Sequence, residues 1–225
     1  MLKSGISFDT VLNETKVIAI LRHIPNNQLH AVLDALYDGG IRLAEITYDA
    51  TGKVSDSETA AMIADAVIYT ESRMLIGAGT VLKPSQLSLL QNAGGLFAIS
   101  PHTDMALIAE TVQLGLLSIP GAMTVSEAAA AYSAGADYVK LFPASVLGPD
   151  FCRQIAAPLP QIPLLAVSGI KPADMAAYLD AGIKGFGIGA GIVNPQLCRM
   201  GEAGFAAIRK NAEAYLTAAK REYAE

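Results

Sequence analysis

Five times along the chain a helical stretch ends in a small-residue turn containing glycine, and a short apolar run follows. The unit recurs at Asp38–Ile46, Asn92–Ser100, Gln113–Gly121, Ser133–Leu141 and Asp180–Ile188. Glycine falls where each helix would stop, because it enters the left-handed cap without a steric penalty. The run after it is rich in Ile, Leu, Val, Ala and Phe, as expected for a strand buried on both faces. Three further runs, Val17–Leu21, Leu75–Val81 and Leu164–Ile170, lack the full unit but read the same way. The pattern predicts eight strands.

Helical periodicity fills the intervals, near 27–38, 57–69, 84–93, 104–114, 126–134, 150–156 and 172–181. Thr124-x-x-Glu127 has the form of a capping box, and Pro84 and Pro172 stand where first helical turns would begin. Strand–helix alternation repeated eight times predicts an α/β fold, a (β/α)8 TIM barrel. It would be a single domain over residues 1–225, with an N-terminal helix at 5–15 and a C-terminal helix at 202–221. An open doubly wound sheet would show a glycine-rich fingerprint after its first strand. Here that strand runs into Arg22-His23-Ile24-Pro25.

Composition narrows the function classes. The 225 residues are 52% hydrophobic and 16% charged, with net charge −5 and no cluster of Lys or Arg. That balance argues against nucleic acid and anionic membrane surfaces as partners. Cys152 and Cys198 are far apart in no metal-ligand spacing, which favours a reduced, cytoplasmic setting. Met1–Phe8 lacks the pattern of a signal peptide, and no apolar run is long enough to span a bilayer. His23, His30 and His102 are scattered, so neither a metal nor any other cofactor is expected.

In a (β/α)8 barrel the chemistry sits at the C-terminal ends of the strands. The sixth strand reads Asp137-Tyr138-Val139-Lys140-Leu141-Phe142. Alternation places Tyr138, Lys140 and Phe142 on one face, so Lys140 points inward if Val139 and Leu141 pack on helices. Desolvation lowers a lysine pKa and makes the free amine a nucleophile toward carbonyls. The structural alternative is a lysine at the barrel rim that snorkels to water or simply pairs with Glu45. On the second strand Leu43, Glu45 and Thr47 share a face, which brings Glu45 to the same interior. Its carboxylate would pair with the amine or shuttle protons. Gly77-Ala78-Gly79-Thr80 permits close approach by a ligand, with a hydroxyl on Thr80. Ser168-Gly169 and Gly187–Gly191 end the last two strands, a common setting for phosphate binding through backbone N–H groups.

On these residues the sequence resembles the 2-keto-3-deoxy-6-phosphogluconate / 4-hydroxy-2-oxoglutarate aldolase family. The matching segments are Val17–Arg22, Gly40–Thr47, Ile76–Pro84, Ala98–Pro101, Ile119–Gly121, Asp137–Pro149 and Val167–Ile170, in the family's order. The resemblance implies a homotrimer of metal-free barrels that act on a small-molecule 2-keto acid. Such enzymes cleave 2-keto-3-deoxy-6-phosphogluconate and/or 4-hydroxy-2-oxoglutarate to pyruvate and an aldehyde. It assigns the Schiff base to Lys140 and acid–base work to Glu45. Arg22, Thr47 and Thr80 would contact the substrate, Pro101 and Phe142 would line the pyruvyl pocket, and Ser168, Gly169, Gly189 and Ala190 would hold the phosphate. Tyr48-Asp49 stands where family members carry an arginine after Glu-x-Thr. Ser168-Gly169 and Ala190 stand where many carry Gly-Gly and Ser. Three alternatives stay open on the residues alone: a phosphate-binding barrel isomerase or epimerase without a covalent imine, a metal-dependent aldolase, which the scattered histidines disfavour, and a noncatalytic sugar-acid binding protein.

Overall fold

The computed structural model describes residues 7–220. Nine parallel strands are present: β1 (Val17–Leu21), β2 (Leu43–Thr47), β3 (Leu75–Gly79), β4 (Phe97–Ile99), β5 (Leu117–Ile119), β6 (Gly121–Ala122), β7 (Val139–Leu141), β8 (Leu164–Val167) and β9 (Gly185–Ile188). They follow the order β5-β4-β3-β2-β1-β9-β8-β7-β6. Only Pro120 separates β5 from β6, because proline has no N–H to offer the ladder. Its carbonyl still accepts from Lys140 N–H at 2.9 Å, so the two pieces act as one arm and the ring closes on eight positions. The expected eight-stranded barrel is the fold observed.

Helices α1 (Phe8–Thr15), α2 (Leu29–Asp38), α3 (Asp56–Thr70), α4 (Pro84–Asn92), α5 (Met105–Gln113) and α6 (Val125–Ser133) alternate with the first strands. Then come α7 (Ala144–Ala156), α8 (Met175–Asp180), α9 (Pro195–Cys198) and α10 (Glu202–Ala219). The five repeat glycines, Gly40, Gly94, Gly115, Gly135 and Gly182, all take positive φ just beyond a helix. The Thr124–Glu127 capping box forms, and a second one joins Ser55 to Glu58. The helix expected at 150–156 begins earlier, at Ala144, with a break at Gly148 (φ 79°, ψ 166°) just before Pro149. Only the part beyond that break kept a readable period. The four-residue α9 was too short to carry one. Strands expected to reach Val81 and Ile170 stop at Gly79 and Val167, where the chain turns out through Thr80 (φ 56°) and Ser168 (φ 86°). The first two residues of the expected helix 5–15, and position 221 of the expected C-terminal helix, lie outside the described residues.

Alternation along the strands builds two cores. Outward residues such as Val17, Ala44, Ile76, Val139, Leu141, Ala166 and Phe186 pack under the helices. Inward residues Ile18, Leu43, Leu75, Phe97, Ile99, Ile119, Tyr138 and Leu165 fill the lower barrel. Phe8, Val11 and Leu12 of α1 join that inner cluster and close the floor. Phe8 meets Phe97 edge-on at 5.2 Å and Tyr138 at 5.5 Å between ring centroids. The Tyr138 hydroxyl donates to Asp9 at 2.6 Å. Apolar packing therefore occupies the N-terminal half of the barrel and leaves the other end for chemistry.

Truncating Phe8 to Ala should lower the unfolding free energy by about 3 kcal/mol, with little change in the denaturant slope. Urea denaturation checks it. An unchanged midpoint would show that α1 contributes nothing to the floor.

Candidate active site

Lys140 and Glu45 both point into the barrel above the apolar floor. Alternation sends their neighbours Val139, Leu141, Ala44 and Ile46 into the outer core, which leaves the two polar side chains facing inward. Glu45 is 2% exposed and Lys140 is 7% exposed. That burial excludes a Lys140 side chain that snorkels from the rim to water. In register Glu45 lies beside Gly77, and Lys140 lies between Gly121 and Leu165. The missing side chains at Gly77 and Gly121 leave space that Phe97 and the Pro101 backbone fill.

Burial raises the Glu45 carboxyl to about 7, against the opposing positive charges of Lys140 and Arg22. The Lys140 ammonium is disfavoured chiefly by desolvation. Glu45 counteracts that shift, and Arg22 adds to it by like-charge repulsion. Oε2 of Glu45 is buried with no hydrogen-bond partner. Such an orphan costs stability, about 1–3 kcal/mol or more for a charged group, and is rarely kept without a use. The Lys140 ammonium also lies 5.1 Å from the centroid of the Phe142 ring. Among the described residues no group of three or more His, Cys, Asp or Glu side chains could hold a metal ion.

The other sequence candidates gather around the same mouth. Arg22 follows β1 on the exposed rim, close enough for its charge to bear on both Glu45 and Lys140. Thr47 ends β2 with its hydroxyl turned toward the Leu21 carbonyl at 3.4 Å, and Thr80 follows β3. Pro101 follows β4, and its carbonyl carbon and oxygen press on Gly121. Phe142 follows β7 and is 38% exposed. Ser168 and Gly169 (φ 71°) leave β8, and Gly189 and Ala190 leave the neighbouring β9.

Two features were not readable from the sequence. At Gly79 the close approach is made by the Glu45 carboxyl rather than left to a ligand. Asp49 turns its carboxylate back on its own loop, where it accepts from the N–H groups of Thr51 at 2.9 Å and of Lys53 and Val54 at 3.0 Å. Those bonds, with the Thr51 hydroxyl first, lower its pKa to about 2. Tyr48 is buried outside the barrel and donates to the Gln86 carbonyl at 2.9 Å. Tyr48-Asp49 thus shapes the loop after β2.

The sequence profile described as "KDPG and KHG aldolase" matches residues 8–209. The chain is 37% identical over 183 residues to a probable 2-dehydro-3-deoxy-6-phosphogalactonate aldolase of Rhizobium meliloti (strain 1021), covering 81% of this chain and 84% of that protein. It is 32% identical over 176 residues to the KHG/KDPG aldolase of Escherichia coli (strain K12), covering 77% and 78%. A solved structure described as native KDPGal superposes with a TM-score of 0.79 at 32% identity, covering 90% of this chain and 93% of that one.

Glu45 is protonated more readily folded than unfolded, so its ionisation costs stability as pH rises from about 4.5 toward 7, and the cost persists above. Glu45→Gln should therefore raise the melting temperature by a few degrees at pH 8 and by much less at pH 4.5. Thermal melts at the two pH values check this. Equal shifts at both would mean the carboxyl is not desolvated.

Proposed function

The chain belongs to the KDPG and KHG aldolase family and is a carbon–carbon lyase, and on that footing we propose that it cleaves a 2-keto-3-deoxy-6-phospho sugar acid through an imine on Lys140. The observation that carries this reading is the pairing of a desolvated amine with a buried, unpartnered carboxyl in one barrel interior. Identity favours the galactonate over the gluconate configuration at C4, being 37% to the Rhizobium protein against 32% to the Escherichia coli one.

In this mechanism the neutral Lys140 amine adds to the C2 ketone, and the carbinolamine hydroxyl takes up one proton from solvent and leaves as water to give an iminium, the proton being returned when the pyruvate iminium is hydrolysed. Glu45, as carboxylate, takes the proton of the C4 hydroxyl. The C3–C4 electron pair moves into the iminium, and the aldehyde departs. Glu45 then returns the proton to C3 of the enamine, and hydrolysis of the pyruvate iminium frees the lysine. A carboxyl near 7 is present in both protonation states at neutral pH, which suits one group acting as base and then acid. Arg22, with Asp49 committed to its own loop, takes the substrate carboxylate, together with Thr47 and Thr80. Pro101 and Phe142 bound the pyruvyl pocket. The phosphate falls to the Ser168, Gly169, Gly189 and Ala190 turns, where two adjacent strand ends offer backbone N–H groups.

We also place the enzyme in the cytoplasm as a homotrimer. Cys152 and Cys198 are free and buried, and no helix among the described residues is long and apolar enough to cross a membrane. Met105, Val125, Phe142 and Val146 expose apolar surface around the mouth, which favours a covered face. Sedimentation should give three times the 23.5 kDa chain mass, and a monomer would reject the assembly.

Borohydride reduction in the presence of pyruvate should leave one adduct, on Lys140, and Lys140→Ala should abolish both adduct and cleavage. An adduct on another residue, or none, rejects the mechanism. Glu45→Gln should lower kcat by about 10²–10⁴-fold. On paired substrates, kcat/KM should favour 2-dehydro-3-deoxy-6-phosphogalactonate over the gluconate epimer, and both over unphosphorylated analogues.

A further inference from the structure

Gly79 ends β3 on the inner face of the barrel, opposite Thr47 in the β2–β3 register. Its φ is not positive, so the backbone there would accept any residue. Its carbonyl continues the ladder by accepting from Tyr48 N–H at 2.9 Å. Nothing in the main chain calls for glycine. Space does. A Cβ at this position would lie 2.4 Å from Glu45 Oε1, 2.6 Å from Glu45 Cδ and 3.1 Å from Glu45 Oε2, and these are its three nearest neighbours.

The register explains how the carboxyl comes to be there. The Glu45 backbone is level with Gly77, where Phe97 occupies the inner space. The side chain therefore leans two residues further along β3, toward the mouth, and comes to rest on the bare Gly79 backbone. Oε1 sits against that surface while Oε2 remains buried without a partner.

We propose that Gly79 is a positioning residue for the cleavage reaction: its missing side chain seats the Glu45 carboxyl at the height where the substrate's C4 hydroxyl must meet it. The inference rests on Glu45 being the acid–base group. A methyl at position 79 would push the carboxyl about 1 Å to restore ordinary contact, and a displacement of that size costs on the order of 10²-fold in rate. Imine formation with pyruvate needs only the Lys140 amine and should survive.

The experiment compares Gly79→Ala, Glu45→Asp and the double variant by kcat, pH–rate profile and borohydride trapping with pyruvate. Gly79→Ala should lose about 10²-fold in kcat, shift the pH limb set by Glu45 and still trap pyruvate on Lys140. Aspartate is one methylene shorter and draws back from the added methyl, so the same substitution should cost Glu45→Asp no more than a few-fold. Unchanged kcat and pH limb in Gly79→Ala, or an equal loss in both backgrounds, overturns the proposal. Should Gly79→Ala fail to fold, a double variant that folds and matches Glu45→Asp supports the clash, and one that also fails overturns it. Full activity in Glu45→Gln would instead remove the acid–base reading, a separate result from any of these.

Discussion

Desolvation governs this molecule. An amine and a carboxyl are both withdrawn from water inside a parallel barrel, and each is shifted toward its neutral form by that burial. Attraction between them offsets part of the cost, while the Arg22 charge helps the carboxylate and opposes the ammonium. A tight ion pair would lock both groups in their charged forms. Leaving Oε2 without a partner keeps the carboxyl available, and the apolar packing below must outweigh the loss.

That packing is divided by the alternation of the strands. The outer core holds the helices to the barrel, and the inner core, closed by α1, gives the two polar side chains a dry base. Phe8, Val11 and Leu12 of α1 pack into the N-terminal end, and the two polar side chains lie on the side of the C-terminal mouth. The residues that end the strands there include three non-glycine positions with positive φ, namely His23, Thr80 and Ser168. Turning the chain sharply at those points carries a conformational cost that the rigid strands absorb.

Glycines inside the barrel act as measured vacancies. Gly77 makes room for Phe97, Gly121 for the Pro101 backbone and Gly79 for the Glu45 carboxyl. The third seats the carboxyl proposed as the acid–base group. It turns the length of one side chain into a defined height, which neither β2 nor β3 could set alone.

The chain's periodicity determined the barrel: helix-ending glycines, buried runs and their number were local signals, and Lys140 and Glu45 announced themselves as ionisable residues at inward positions of apolar strands. Motifs around them were dense enough to identify the family. What required the tertiary structure were distances between elements remote in sequence. The break in α7 and the turn of Asp49 onto its own loop are local geometry that carries no period, whereas the floor made by Phe8 against Phe97 and Tyr138 depends on packing that periodicity does not encode. So does the role of Gly79, which in the sequence is one glycine among several. It acquires its meaning only when β2 and β3 are laid in register and the Glu45 carboxyl takes up the space beside it.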